Sequence, residues 1–152
     1  MTIKAVVMAG GKGTRLRPIT YSIPKPVVPI AGKPCMLYLL DSYYSAGIKD
    51  VIVTTGYKFS SLITSIIENR HDDQTILFSV EKEPAGTAGS VKLVSNFIDD
   101  TFIVGSGDIL IRNPEFTGTS KNRAPSMDSV TIDYRNSYST IYQDIRFNTA
   151  QI

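Results

Sequence analysis

The chain has 152 residues, of which 42% are hydrophobic and 20% are charged, and its formal net charge is +2. This length and composition suit one globular domain with a buried core. No cluster of Lys and Arg marks a nucleic-acid surface, so no nucleic-acid partner is expected. Cys35 is the single cysteine, which excludes an internal disulfide and a multi-cysteine zinc site.

The sequence shows no segment suited to membrane insertion. Residues 3–8 form an apolar run that is too short for the core of a signal peptide. Lys25 follows before a membrane span could form. We therefore expect a cytoplasmic protein with no membrane partner.

Short apolar runs alternate with helical patterns over residues 3–108. Strands are predicted at residues 3–8, 50–55, 75–80 and 101–104, and helices at residues 35–46, 59–69 and 86–97. Strands joined by helices of this length need right-handed crossovers and a parallel sheet. The predicted fold class is therefore α/β, a Rossmann-like, doubly wound and mainly parallel sheet with helices on both faces.

The last part of the chain differs in character. Residues 112–129 are rich in Asn, Ser, Thr and Pro and show almost no apolar periodicity. Residues 129–134 and 139–147 alternate between apolar and polar, which is compatible with a β-hairpin. We expect residues 1–111 to form the core and residues 112–152 to form an atypical tail of the same domain.

Cys35 and His71 are each the one residue of their type in the chain. A catalytic Cys–His pair would need the two side chains in contact, and a single histidine gives little chance of that. We expect Cys35 to pack in the core and His71 to lie in a loop rather than to bind a ligand.

The segment with the most informative chemistry, AGGKGTRLRPIT at residues 9–20, directly follows the first predicted strand. In an open α/β sheet the carboxyl end of that strand opens the ligand crevice. Glycines allow the backbone to approach a ligand and to present its N–H groups as an anion nest, and neighbouring cations add positive charge. These residues are Gly10, Gly11 and Gly13, together with Lys12, Arg15 and Arg17. The segment therefore predicts a polyphosphate ligand.

Two familiar phosphate-binding loops do not fit this segment. A Walker loop needs Gly-Lys-Thr in that order at a helix start, whereas Gly13 separates Lys12 from Thr14. A dinucleotide fingerprint needs Gly or Ala where Leu16 stands. Prolines at five positions postpone any helix to about residue 35. A purely structural loop rich in Gly and Pro remains as the alternative.

Two further motifs follow predicted strands. EPAGTAG at residues 83–89 leads into the third helix, where a Gly-Thr pair offers free amides. GSGD at residues 105–108 ends the fourth strand, and Asp108 in a crevice that binds triphosphate is a natural Mg²⁺ ligand. An ordinary helix start and a surface carboxylate are the alternatives. Three other acidic residues lack comparable placement and are expected to be solvated: Glu81, Asp99 and Asp100.

Three motifs in this order resemble the signature of the sugar-1-phosphate nucleotidyltransferases: MAGGKGTRLRPIT at residues 8–20, PKP at 24–26 and PIAGKP at 29–34. That family, also called sugar-nucleotide pyrophosphorylases, includes mannose-1-phosphate guanylyltransferases and glucose-1-phosphate thymidylyltransferases. The similarity covers about residues 3–110. The family's sugar-binding half, with its Glu-Lys segment and second metal-binding Asp, is expected to be missing or altered after about residue 110.

The resemblance implies a role for each matching residue. Arg15 and Lys25 are implied as catalytic cations, Arg15 at the departing pyrophosphate and Lys25 at the α-phosphate. Asp108 would hold Mg²⁺ between the nucleotide and the sugar phosphate. These roles agree with phosphoryl transfer, in which catalysis is mostly positioning and cationic clamping. Nucleotide binding is implied for Ala9, Gly10, Gly11, Gly13, Thr14, Glu83, Gly86 and Thr87.

The implied substrates are an NTP (GTP, dTTP or UTP) and a sugar-1-phosphate, with release of pyrophosphate. Three interpretations stay open at this point. The chain could be an active nucleotidyltransferase, a nucleotide-binding remnant without catalysis, or a regulatory or assembly subunit of a longer homologue. In the first interpretation a partner chain could supply the missing parts, and in the third the chain assembles with a full-length homologue, so a homo- or hetero-oligomer is possible.

Overall fold

A computed structural model describes residues 4–98 and 102–110 of the chain. These ranges contain six strands and three α-helices. The strands are β1 (Lys4–Ala9), β2 (Pro29–Ile30), β3 (Lys33–Pro34), β4 (Asp50–Thr55), β5 (Thr75–Val80) and β6 (Phe102–Ser106), and the helices are α1 (Cys35–Ser45), α2 (Phe59–Asn69) and α3 (Gly86–Lys92). The predicted tail hairpin and the boundary at residue 111 lie outside the described residues. No helix in these ranges is long and apolar enough to cross a membrane.

Four strands form one parallel sheet in the order β5-β4-β1-β6. Lys4 of β1 is in register with Asp50 of β4 on one side and with Phe102 of β6 on the other. The strands that follow β1 in the sheet, β4 and β5, lie on one side of it, and β6 lies on the other side. In such sheets, ligands bind outside the carboxyl ends of the strands where the order reverses, here between β1 and β6. The predicted Rossmann-like, doubly wound fold is confirmed.

The two central strands are buried on both faces because their sequences are almost continuously apolar. Val7 of β1 and Val53 of β4 lie in a core with α1 and α2, and both are fully buried. The helices contribute apolar side chains at helical spacing: Met36, Leu39, Leu40 and Tyr43 from α1, and Leu62 and Ile66 from α2. This core covers one face of the sheet.

The opposite face carries a second, smaller core. Val6 and Ile52 are neighbours in register on β1 and β4, and both pack in this core with Val91 of α3. Val94, Phe102 and Val104 complete the buried part of the cluster. Because successive side chains of a strand point to opposite faces, β1 and β4 supply both cores. Helices therefore lie on both faces of the sheet, as predicted.

The third helix is shorter than its sequence pattern predicted. The expected helix covered residues 86–97, but α3 ends at Lys92 and a single 3₁₀ turn follows at Ser95–Phe97. Two glycines and a threonine in its first four residues give α3 little intrinsic helical stability. Burial of Val91 and Val94 against the sheet, rather than helical propensity, fixes this segment.

The long connection from β1 to α1 has local structure that the sequence analysis did not predict. It contains three short 3₁₀ turns and the antiparallel hairpin of β2 and β3. Ala31 and Gly32 turn this hairpin with φ of 49° and 81°, as a two-residue turn requires. The hairpin escaped prediction because each of its strands has two residues. Helix α1 begins at Cys35, as predicted.

Cys35 and His71 lie where the sequence analysis expected them. Cys35 is 4% exposed, and burial raises the pKa of its thiol. His71 lies between α2 and β5, where its ring stacks on Tyr44 with 3.8 Å between ring centroids. Its Nε2 is 3.0 Å from Oδ1 of Asp41. Both residues therefore have structural partners.

A pair of neighbouring isoleucines tests the packing of α2. Ile66 is fully buried in the main core, whereas Ile67 is 46% exposed. We expect Ile66→Ala to lower the free energy of unfolding by about 2–5 kcal/mol, because it leaves a cavity in the core. Ile67→Ala should cost less than about 1 kcal/mol. Chemical denaturation of the two variants measures the difference, and equal losses would contradict the described orientation of α2.

Candidate functional site

A cleft of about 290 Å³ opens at the carboxyl edge of the sheet. The ends of β1, β5 and β6, the loop around Lys25 and the start of α3 form its walls. It brings together seven residues that the sequence analysis selected: Ala9, Gly10, Gly11, Lys25, Gly86, Thr87 and Asp108. These residues come from four separate motifs, and their meeting at the reversal of strand order is what the fold class predicted.

Four selected residues lie beside the cleft rather than in its lining. Thr14 and Arg15 are exposed in the 3₁₀ turn Thr14–Leu16, and Glu83 is exposed before α3. Gly13 is partly buried behind the loop. Their assignments to the nucleotide therefore stay predictions.

The loop after β1 folds back on itself at Gly13. This glycine has a φ of 62°, and a Cβ added to it would lie 2.9 Å from Cγ2 of Thr20 and 3.0 Å from Cβ of Lys25. Thr20 is 1% exposed, and its hydroxyl donates to the Gly13 carbonyl at 2.8 Å. The Tyr57 hydroxyl donates to the Thr20 carbonyl at 2.9 Å. These contacts hold the loop against the segment that carries Lys25.

Lys25 and Asp108 form an ion pair in the cleft between Nζ and Oδ2. The direction of Lys25 is set by its neighbours, since Pro24 and Pro26 are buried and the Val27 N–H donates to the Pro24 carbonyl at 3.0 Å. The lysine and aspartate side chains are 39% and 25% exposed. A cation and a carboxylate that are 83 positions apart in sequence thus meet where a ligand can reach both.

Asp108 has a second partner in its own segment. The Ser106 hydroxyl donates to Oδ1 of Asp108. Partial burial favours the neutral acid, but the hydrogen bonds from Lys25 and Ser106 outweigh it and hold the pKa of Asp108 below its ordinary value. Asp108 is therefore a carboxylate at neutral pH. Sequence analysis missed Ser106, although its position two residues before Asp108 at the end of β6 was a usable signal.

The expectation that Glu81 is solvated was wrong. Glu81 directly follows β5, and its backbone N–H donates to the Thr55 carbonyl at 2.6 Å. Its carboxylate lines the cleft, packed so closely on Gly10 that a Cβ there would lie 3.0 Å from Oε2. Oε1 is buried and has no hydrogen-bond partner among the described residues, and Oε2 accepts a long hydrogen bond from the Ala85 N–H at 3.4 Å.

The physical reason is that β5 ends at the same edge of the sheet as β1 and β4. A residue directly after any of these strands faces the crevice region, and this signal could have identified Glu81 from the sequence. Asp99 and Asp100, the other two residues expected to be solvated, lie outside the described residues.

The donors in the cleft fit Mg²⁺ that a polyphosphate also ligates. The Asp108 carboxylate is a hard oxygen donor, and Mg²⁺ in such sites uses one or two carboxylates plus substrate phosphates. Within residues 4–98 and 102–110, no group of three or more His, Cys, Asp or Glu side chains could hold a metal ion. Asp108 lies on the cleft wall as an ionised carboxylate that could serve as one such ligand.

The sheet order and the cleft at its reversal define an α/β domain with a candidate ligand site at the switch point. The chain belongs to the nucleotidyl transferase family, whose sequence profile matches residues 4–140. This match extends beyond residue 110, where the resemblance in the motifs ends.

Curated relatives support the resemblance to sugar-1-phosphate nucleotidyltransferases. Mannose-1-phosphate guanyltransferase of Yarrowia lipolytica is 37% identical over 118 residues, which are 74% of this chain and 32% of the relative. The protein of the same name from Debaryomyces hansenii is 32% identical over 152 residues, which are 93% of this chain and 41% of the relative. The chain thus spans less than half of the length of these relatives.

Solved structures agree with the fold. HddC from Yersinia pseudotuberculosis, crystallised with GMP-PN, is 38% identical with a TM-score of 0.61, over 70% of this chain and 48% of HddC. UDP-glucose pyrophosphorylase from Acinetobacter baumanii has a TM-score of 0.63 at 24% identity, over 76% of this chain and 48% of that protein. The second similarity shows the fold alone.

The hydroxyl of Thr20 offers a test of how the loop is held. We expect Thr20→Val to leave the Gly13 carbonyl without its donor and to cost about 1–3 kcal/mol in local stability. Thr20→Ser keeps the hydroxyl and should behave more like the parent. Limited trypsin cleavage after Lys12 and Arg15 reports on opening of the loop. Equal cleavage rates in the two variants would show that this hydrogen bond does not hold the loop.

Proposed function

We propose that this chain binds a nucleoside triphosphate together with Mg²⁺ for transfer of its nucleotidyl group to a sugar-1-phosphate. The observation that carries the proposal is the meeting of Lys25 and Asp108 in a cleft walled by the β1 glycine loop. In the proposed reaction, an oxygen of the sugar phosphate attacks the α-phosphorus of the NTP. Pyrophosphate leaves on the opposite side, and no covalent enzyme intermediate is needed.

The chain's own residues supply binding, orientation and charge in this proposal. Gly10 and Gly11 line the cleft without side chains, so the nucleotide can approach their backbone. Lys25 neutralises the α-phosphate, where charge increases in the transition state. Arg15 is exposed in the 3₁₀ turn Thr14–Leu16, outside the cleft lining, and the family resemblance is the reason that we assign it to the departing pyrophosphate.

Asp108 is the residue that would hold Mg²⁺. The ion supplies charge neutralisation between two anionic substrates when it is bound. Asp108 contributes an ionised carboxylate because its pKa lies below the ordinary value.

Glu81 favours GTP among the three candidate nucleotides. An ionised carboxylate accepts hydrogen bonds and donates none. Guanine presents adjacent N–H donors on its Watson–Crick edge, including its 2-amino group, whereas uracil and thymine present one N–H between two carbonyls. The unpartnered Oε1 of Glu81 therefore matches guanine better. The names of the guanyltransferase relatives and the GMP-PN complex of HddC support this choice.

A nucleotide-binding domain without transfer activity is the second candidate. Lys25 is the one cation among the described residues that line the cleft, and transfer must accommodate a triphosphate and a sugar phosphate together. One cation offsets the negative charge of one nucleotide better than that of two phosphorylated substrates, which favours binding of the nucleotide alone. Pyrophosphate release from GTP and mannose-1-phosphate separates the two candidates, since the second binds GTP with Mg²⁺ and releases none.

The role of Lys25 has a matched control elsewhere in the chain. Lys33 also pairs with an aspartate, Asp41, at similar exposure, but lies outside the cleft. We expect Lys25→Ala to weaken binding of Mg²⁺·GTP by about tenfold or more, the worth of one charge-assisted hydrogen bond. Lys33→Ala should bind like the parent, and Arg15→Ala should weaken binding or turnover. Calorimetric titration measures these affinities, and equal binding by all four proteins would refute the placement of the phosphates.

The proposed base contact makes a separate prediction. Glu81→Gln replaces an acceptor with an amide that can also donate, so the preference for GTP over UTP should fall by about tenfold. Glu68→Gln on the exposed surface of α2 is the matched control and should not change the preference. Competition titrations with the two nucleotides provide the measurement. An unchanged preference in Glu81→Gln would remove Glu81 from base recognition.

A further inference from the structure

The two carboxylate oxygens of Asp108 have hydrogen-bond partners from two different structural elements. Oδ2 pairs with Lys25, which lies on the loop after β1, and Oδ1 accepts a hydrogen bond from Ser106, which lies on β6. Loop and strand are separate elements, so one partner can leave while the other stays. The proposed function gives a role to Lys25 and Asp108 and leaves the hydrogen bond from Ser106 unexplained.

Ser106 is held firmly by the sheet. It is the last residue of β6 and is in register with Met8 of β1. The next residue, Gly107, is buried and donates its N–H to the Met8 carbonyl at 2.9 Å. A Cβ at Gly107 would lie 2.3 Å from Cε of Met36, so the backbone here packs directly on the core. The backbone that carries the serine hydroxyl therefore has a fixed position at the edge of the cleft.

Lys25 is the exchangeable partner. Its side chain is 39% exposed, and an ion pair at such exposure contributes little to stability because water and salt screen it. A divalent ion carries twice the charge of an ammonium group and binds carboxylate oxygen directly. Such an ion can therefore replace Nζ at Oδ2 without disturbing Oδ1.

We propose that Ser106 is a positioning residue, which holds Oδ1 of Asp108 so that Oδ2 exchanges Lys25 for a divalent metal ion. The lysine released by the exchange then turns to the nucleotide phosphate. This inference rests on the proposed function of the cleft. It adds that metal binding at Asp108 also requires Ser106. Residues that orient a metal-binding carboxylate change metal affinity by about 10–100-fold when they are removed.

Binding of Mn²⁺ alone, followed by the electron paramagnetic resonance of the free ion, tests the proposal without catalysis. Ser106→Ala should weaken Mn²⁺ binding by about tenfold or more, whereas Ser106→Thr keeps the hydroxyl and should restore it. Lys25→Met removes the competitor for Oδ2 and should tighten Mn²⁺ binding several-fold. Thermal denaturation of the variants checks that each is folded. With EDTA present, Ser106→Ala should bind GTP as the parent does, because the serine acts only through the metal.

The outcomes separate this inference from the proposed function. If the parent binds GTP and Mn²⁺ but Ser106→Ala holds Mn²⁺ equally well, the positioning role is refuted and the proposed function stands. Weaker Mn²⁺ binding by Lys25→Met would refute the exchange at Oδ2. A parent that binds Mn²⁺ with the expected serine dependence but never binds GTP would refute the proposed function alone. A parent that binds neither would refute both.

Discussion

The ion pair between Lys25 and Asp108 is the contact on which the site depends, because it joins the loop after β1 to the end of β6. The parallel sheet makes this contact available, since it places both strand ends at one edge and on either side of the reversal in strand order. Proline neighbours and the fold at Gly13 then direct the lysine inward. The adjacent strands β1 and β6 bring the glycine loop and Asp108 to one edge, and the ion pair adds the Lys25 cation to that edge.

Three polar side chains of the cleft have interactions that a bound ligand would improve. Lys25 and Asp108 neutralise each other at partial exposure, and Oε1 of Glu81 is buried without a hydrogen-bond partner among the described residues. A buried acceptor without a donor costs free energy, so a ligand that supplies the donor recovers it. The arrangement thus favours binding over stability, which is the usual compromise at a functional site.

Much of this architecture could be predicted from the sequence. The apolar runs located β1, β4 and β5, and the crevice rule then placed Gly10, Gly11 and Asp108 together. These features are predictable because motifs and the alternation of strands and helices are written in the order of residues along the chain. Positions at strand ends offered a signal for Glu81 and Ser106, but the contacts of both side chains depend on neighbours in space that the sequence pattern does not specify. Glu81 depends on contact with Gly10, and Ser106 on the direction of one carboxylate oxygen.

A crystal structure with a non-hydrolysable GTP analogue and Mn²⁺ would locate both ligands, because the anomalous signal identifies the ion. We expect the ion at Oδ2 of Asp108, the α-phosphate beside Nζ of Lys25 and the guanine edge at Glu81. An ion bound away from Asp108, or a nucleotide outside the cleft between β1 and β6, would contradict this expectation.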